Sequence, residues 1–341
     1  MTIQEGQTEA KTMYAQERKE AFLQTIKKDS TRADYKLLLE KCRNFEEALK
    51  KELAEFNVAE VTSLMKTLNP STLGNARTYG RILSSYFSWA VTMNLRKFNP
   101  LATVGREWWN QFADETVREY YAFDEIMMLA DFCENPQDAI PFYLLFEGVQ
   151  GKEFSEIRNL KKQDVLSGSV LRLTARTNAQ GEPYHMAVHP RTIKAVEEAI
   201  KVKVYYKDNG DMDDSIPANI PRTIDLIDND YVVRAVANRN KTYDAPAKKD
   251  LITHRIEQVR NRAGFEYRNL TAKDIVRSGM IYYAKELMMI YGEINKELLN
   301  KVAEKFNINH IWNMKEYINE EVITKLYGID PQEVYAKVHA I

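Results

Sequence analysis

Residues 148–165 read GVQGKEFSEIRNLKKQDV, and the order of signals on either side of them decides the fold. Two helical patterns lead in, YAFDEIMMLADFCENP (121–136) and QDAIPFYLLFEGVQ (137–150). Phe154 to Leu160 follows with a further short pattern. The segments Val170 to Thr174 and Tyr184 to Val188 then alternate apolar and polar residues about a turn at Asn178 to Glu182, which predicts a β-hairpin. Beyond it the chain returns to helices over Pro190 to Val204, Leu251 to Ala263 and Thr271 to Tyr291. The last of these starts with Thr271 and Asp274 at capping-box spacing. Asn209 to Pro221, rich in Asp, Gly and Pro, reads as a loop. Mainly α with a small β-hairpin sheet, an α+β protein, is the class these signals predict.

Working back toward the N-terminus, the chain is helical throughout. Ser30 and Thr31 stand where they can cap a helix through TRADYKLLLEKCRNFEEALKKEL (31–53), and Asn69-Pro70-Ser71-Thr72 is a start signal for LGNARTYGRILSSYFSWAVTMN (73–94). In this second helix Leu73, Ala76, Gly80, Leu83, Phe87 and Ala90 fall on one stripe at roughly 100° per residue, which predicts the buried face. The opposite arc carries Arg77, Thr78, Arg81, Ser84, Ser85 and Ser88. A solvated face explains that arc equally well, yet two arginines among small hydroxyls with no acid suit a DNA groove. Asn99-Pro100 closes the helical unit. GREWWNQFADETVREYY (105–121) reads as a connector in which Trp108 and Trp109 pack against a domain edge more readily than on bases.

Composition narrows the function classes. With 341 residues, 44% of them hydrophobic and 28% charged, the chain suffices for two cored domains; it has no apolar run of spanning length and no signal-peptide core, which predicts a cytoplasmic protein with no membrane partner. Cys42 and Cys133 lie far apart on helical patterns, as buried thiols do, and the five histidines show no ligand spacing, so no metal and no cofactor is expected. A net charge of −1 requires any DNA-facing cations to be concentrated on one face. No phosphate-binding glycine loop is present, and Ser155 joins no Ser/His/Asp arrangement.

In this order the features resemble the tyrosine recombinase, or phage integrase, superfamily. LSSYFSWAVTMNLRKFNPL (83–101) is similar to the end of that family's helical core-binding domain, and GKEFSEIRNLKKQDV (151–165) is similar to its Gly-Leu-Arg-x-Ser-Glu-Leu box. The resemblance implies two domains closing as a clamp on duplex DNA: an N-terminal arm with a helical, SAM-like core-binding domain (1–110), a linker (111–120) and an integrase-like catalytic domain (121–341). Active members cleave by attack of a tyrosine on a phosphate, with two arginines and a lysine stabilising the charge that builds on the non-bridging oxygens. Matched residue by residue, the first arginine falls on Glu153, the hairpin lysine on Arg176, the histidine of His-x-x-Arg on Lys273 and its arginine on Val276. The later histidine or tryptophan falls near Ile308, and the nucleophile on Tyr317 within Asn313 to Ile318. Tyr317 also reads simply as one face of an amphipathic helix.

Exchanging a cation for an anion about 4 Å from a phosphate reverses a term of roughly 4 kcal/mol at an effective dielectric near 20. Each loss of about 1.36 kcal/mol is tenfold in rate, so efficient cleavage is not expected. A rescue through the neighbours Lys152, Arg277, His310 and Trp312 needs several simultaneous one-residue slips. Binding tolerates looser geometry. Lys273 and Arg277 share a helix face and are placed to hold one phosphate, with Arg176 reaching an adjacent one; solvation, or pairing with Asp274 and Glu153, is the alternative. A basic stretch at 238–262 adds Arg239, Lys241, Lys248, Lys249, Arg255, Arg260 and Arg262, and Arg32 joins Arg77 and Arg81 in the first domain.

The resulting expectation is a catalytically inactive recombinase homologue that binds specific operator sites in double-stranded DNA. Its pattern is similar to phage lysogeny repressors of the SPβ type, which implies a transcriptional repressor associated with the nucleoid, with a protein antagonist or inducer as a candidate partner. An active integrase or resolvase with displaced residues and Tyr317 as nucleophile is the alternative, and a recombination accessory factor a third class. In the C-terminal GIDPQEVYAKVHAI (328–341), Val334, Tyr335, Val338 and Ile341 recur at helical spacing. That face docks either on its own domain or on a second protomer, and the family resemblance implies self-association through the tail.

Overall fold

The computed structural model describes residues 13–70, 72–112, 118–210, 221–237 and 244–339, and the chain divides into two compact units at residues 117 and 118. The N-terminal arm before Met13, residues 113–117 of the linker, residues 211–220 of the loop read at Asn209 to Pro221, Arg239, Lys241 and Ile341 lie outside the described residues.

Among its described residues the first unit has four α-helices, α1 (Gln16–Gln24), α2 (Asp29–Leu49), α3 (Val58–Leu68) and α4 (Leu73–Thr92). Helix α2 starts at Asp29 rather than after Ser30 or Thr31, since the Arg32 amide already donates to the Lys28 carbonyl. Helix α3 carries a full capping box between Asn57 and Glu60, and Thr72 caps α4 by accepting from the Asn75 amide. Ala76, Gly80, Leu83, Phe87 and Ala90 are buried as the stripe predicts, while Leu73 is only half-buried. Gly80 has a packing reason: a Cβ there would meet the Trp109 ring at 1.9 Å. That contact puts Trp109 at a domain edge. Two buried carboxylates organise the same core, Glu46 paired with Lys19 and accepting from the Leu53 amide, and Glu52 accepting from the Tyr86 hydroxyl at 2.5 Å.

The second unit is organised around α6 (Pro136–Glu147), whose residues from Gln137 to Phe146 are all buried. It packs against α5 (Phe123–Asp131), α8 (Pro190–Lys201), α9 (Lys249–Ala263) and α10 (Ala272–Tyr291). Close approach of α10 to α6 depends on Gly279, where a Cβ would stand 1.9 Å from the Phe146 carbonyl oxygen. Between α6 and α8 lie the short α7 (Ser155–Asn159) and a three-stranded antiparallel sheet in the order β1 (Val165–Leu166), β2 (Val170–Thr177), β3 (Pro183–Ala187). The predicted hairpin is therefore present, extended by a third strand. A second antiparallel pair, β4 (Val204–Tyr206) with β5 (Thr223–Asp225), flanks the loop and takes the end of what the sequence reads as one helix to Val204. The chain finishes with α11 (Lys296–Phe306), α12 (Glu320–Tyr327) and α13 (Pro331–His339). Helix α13 packs on α10 through the buried Val334, so this part of the tail docks on its own domain.

Both thiols behave as core groups. Cys42 is buried and Cys133 partly so, each hydrogen-bonded to the carbonyl one turn back, and burial pushes both pKa values up to about 12. Among the described residues, no helix is long and apolar enough to cross a membrane.

Candidate nucleic-acid interface

In the first unit the exposed arc of α4 is present as read, with Thr78, Arg81 and Ser88 exposed and Arg77, Ser84 and Ser85 half-buried. Part of it is occupied: the Asn99 amide donates to the Ser84 hydroxyl at 2.8 Å and the Ser88 hydroxyl at 2.9 Å. Arg81 has no ion pair among the described residues. Arg32 is a correction. Its guanidinium closes the end of α1, donating from Nε to the Leu23 and Ile26 carbonyls at 3.2 and 3.1 Å, and pairs with Asp29 at 2.9 Å. Its cation is thus committed to the polypeptide.

In the second unit each position assigned by the recombinase resemblance lies in a setting of its own. The 148–165 stretch turns sharply because Gly151, Glu153 and Phe154 all have left-handed backbone, at φ 67°, 55° and 59°. Two successive non-glycine residues there cost on the order of 1 kcal/mol or more each, and the bend leaves Glu153 exposed. The acid meets Lys249, from the start of α9, at 3.3 Å, and not its sequence neighbour Lys152. With both side chains about half in solvent, such a pair is worth little, yet it sets an anion and a cation together where the resemblance places an arginine alone. Behind the bend the buried Glu156 accepts from the Gln150 amide at 2.8 Å, and burial holds its carboxyl above the usual range.

Arg176 is a second correction. Strict alternation along β2, with Leu171 and Leu173 inward, would leave position 176 outward. The register shifts between Leu173 and Thr177, a bulge of the kind that re-aims side chains, and the result is inward. Arg176 is 7% exposed, donates to the Glu304 and Lys305 carbonyls at the end of α11, and lies over the Tyr184 ring at 3.8 Å. It serves as a cap for a helix with no surface left for a phosphate. Lys305 is tied down by Glu147 at 2.9 Å, and the Gln150 side chain donates from Nε2 to the Phe306 carbonyl at 3.0 Å, so the chain leading to Tyr317 is anchored at its start.

On α10, Val276 is buried in the core, Lys273 is exposed with no ion pair among the described residues, and Arg277 turns to Tyr317, its guanidinium 5.0 Å from the ring centre. The Lys273–Arg277 pair therefore does not present two free cations to one phosphate. Tyr317 itself is no part of an amphipathic helix; it follows a short 3₁₀ turn (Ile311–Glu316) and is 7% exposed. Its hydroxyl donates to the Met280 thioether at 3.3 Å, and burial raises its pKa although Arg277 opposes the shift. The phenol is thus turned into the core.

The basic stretch divides in the same way. Arg255, read as a DNA contact, is 2% exposed and pairs with the equally buried Asp138 at 3.3 Å, while donating to the Gln137 side chain and the Arg234 carbonyl. It is the third correction: α9 presents this position to α6. Arg260 donates to the Leu270 carbonyl and Arg262 pairs with Asp208 at 3.6 Å. Lys248 remains exposed, without an ion pair among the described residues. Sequence reasoning passed over Arg234, which is 3% exposed and closes the end of α8 through the Ala199, Ile200 and Val202 carbonyls. A lone arginine in a loop carries no signal for that role.

The comparisons with known proteins agree with this frame. Residues 120–328 match the family model described as MrpR, C-terminal catalytic domain, and residues 13–92 match MrpR, N-terminal core-binding domain. The chain is 28% identical over 329 residues, 93% of its length and 97% of the relative's, to the SPbeta prophage-derived uncharacterized protein YopR of Bacillus subtilis (strain 168). Among solved structures it is similar in fold to a lambda integrase dimer bound to a COC' core site, with a TM-score of 0.53 at 11% identity, covering 89% of this chain and 93% of that one. It is similar also to the Tn1549 transposon integrase in complex with a circular intermediate DNA, with a TM-score of 0.52 at 12% identity over 90% and 96% of the two chains. At such identities the likeness establishes a common fold.

Proposed function

Since the chain belongs to the MrpR family in both of its domains, we propose that it is a sequence-specific double-stranded DNA-binding protein that keeps the recombinase fold without strand cleavage, and that it acts as a prophage repressor. The observation that carries the reading is the setting of Tyr317. Its hydroxyl faces a thioether in the core, and Arg277 lies over its ring, 5.0 Å from the centre. Glu153, Arg176 and Val276 add to it: one is an acid, one is spent as a cap, and one is apolar and buried. DNA as the ligand is supported by the fold neighbours, whose structures contain it, and a regulatory role by the prophage origin of the relative. Self-association on the operator, and an antagonist that releases it, belong to the same proposal.

Two measurements separate the parts. Gel shifts with fragments tiling a prophage of this type should select a few fragments over the rest at physiological salt. Equal binding to all of them would reduce the protein to a nonspecific architectural factor. Nicked duplexes made from the selected fragments should yield no covalent adduct, and a phosphotyrosine at Tyr317 would establish an active recombinase instead.

A further inference from the structure

The chain's most exposed large apolar side chain among the described residues is Trp312, 71% exposed and the only tryptophan in residues 118–341. It stands in the 3₁₀ turn just before Tyr317, and the Lys315 ammonium lies over its ring, 4.8 Å from the centre. The turn is held from below by the buried Met314 and by contact with α11, so the ring is presented from a fixed base. Around it Asn309, His310 and Asn313 are exposed, and the only acid in residues 309–316 is Glu316.

We infer that this turn is a second DNA contact, in which Trp312 packs on the sugar-phosphate edge of the duplex while Lys315 meets a phosphate. The inference rests on the DNA-binding reading above and adds to it the surface in the second domain that takes the nucleic acid. An aromatic face with a cation on it and amide groups at its sides matches the edge of a nucleic acid, which offers flat apolar rims, phosphate oxygens and groove acceptors. An interface between copies of this chain would use the same ring without needing Lys315 or the amides. Lys248 and Lys273, two of the exposed lysines of this domain without an ion pair among the described residues, stand on helix starts. Neither provides an apolar surface, so a contact combining stacking with charge falls to the turn.

The test uses the full chain and a duplex of about 30 base pairs taken from a fragment that the gel shift selects, at low ionic strength. Acrylamide quenching of the Trp312 signal, taken as the difference between the native protein and Trp312→Phe, should fall by about half or more once the duplex is bound. Trp312→Ala should weaken binding by roughly tenfold with the melting temperature unchanged, and Trp312→Phe should retain most of the affinity. Lys315→Ala should lower the slope of log affinity against log salt by about 0.9. Undiminished quenching in a complex that a gel shift shows to be formed overturns this surface and leaves DNA binding intact. Absence of any shift overturns both. Protection that grows with protein concentration in the absence of DNA assigns the turn to self-association and overturns the inference.

Discussion

Replacing Arg255 by Met tests whether the basic stretch before residue 262 is a DNA contact or part of the core. In the native protein Arg255 and Asp138 are each 2% exposed and lie 3.3 Å apart. Asp138 is otherwise held only by neutral donors, the Tyr205 hydroxyl at 2.9 Å and the Asn135 amide at 3.3 Å. Methionine fills most of the volume but leaves a carboxylate in the core with no cation paired to it, a loss of roughly 3–5 kcal/mol. For a domain of this size that lowers Tm by roughly 6–20 °C. The pH dependence has a definite sign. Burial already raises the Asp138 carboxyl above its ordinary value with Arg255 beside it, and removal of the arginine raises it further. A raised carboxyl costs stability when it must charge, so the deficit is largest near neutral pH and narrows as pH falls and the carboxyl takes up its proton. Thermal melts of the native protein, Arg255→Met and the double variant Asp138→Asn/Arg255→Met supply the assay, and the double variant should regain much of the loss. An unaltered Tm for Arg255→Met, together with weakened DNA binding, would refute the core assignment and return Arg255 to the surface.

Two further outcomes follow from single contacts. Gly279→Ala places a methyl 1.9 Å from a backbone oxygen of α6 and should cost about 3 kcal/mol or more, whereas Gly80→Ala meets only the rim of the Trp109 side chain and should cost less; urea midpoints at unchanged slope compare the two. Arg81→Ala should leave the melt unaltered and reduce the salt dependence of DNA binding by about 0.9, and an unchanged slope would take the α4 arc out of the interface.

Local grammar was legible in the residues and long-range geometry was not. The Thr271/Asp274 box, the buried stripe of α4 and the hairpin about residues 178–182 are short-range patterns, and each stands where it was read. Arg176 was placed by the family match alone, and no residue between Thr174 and Thr177 announces the bulge that turns it inward. Glu153 finds its cation 96 positions away, at a separation that no spacing rule covers. Tyr317 lies one residue past a 3₁₀ turn, where a helical wheel assigns it a face it does not have. The strands β4 and β5 have three residues apiece, too short for period-2 alternation to separate from the end of a helix.

The arginines of this chain show why its charge cannot be read as DNA affinity. Arg32, Arg176 and Arg234 each close the carbonyl end of a helix, and Arg96 reaches the Ala54 and Phe56 carbonyls. A planar guanidinium with five donors fits this work, since it satisfies several orphan carbonyls from one buried position, and lysine does not replace it. What remains exposed without an ion pair among the described residues is a smaller set, with Arg81, Lys248 and Lys273 the members singled out by the sequence. A net charge of −1 gives the chain no bulk electrostatic pull on arbitrary DNA. Discrimination among sites then has to come from contacts other than bulk charge, which is the balance a repressor requires and a nonspecific DNA coat lacks.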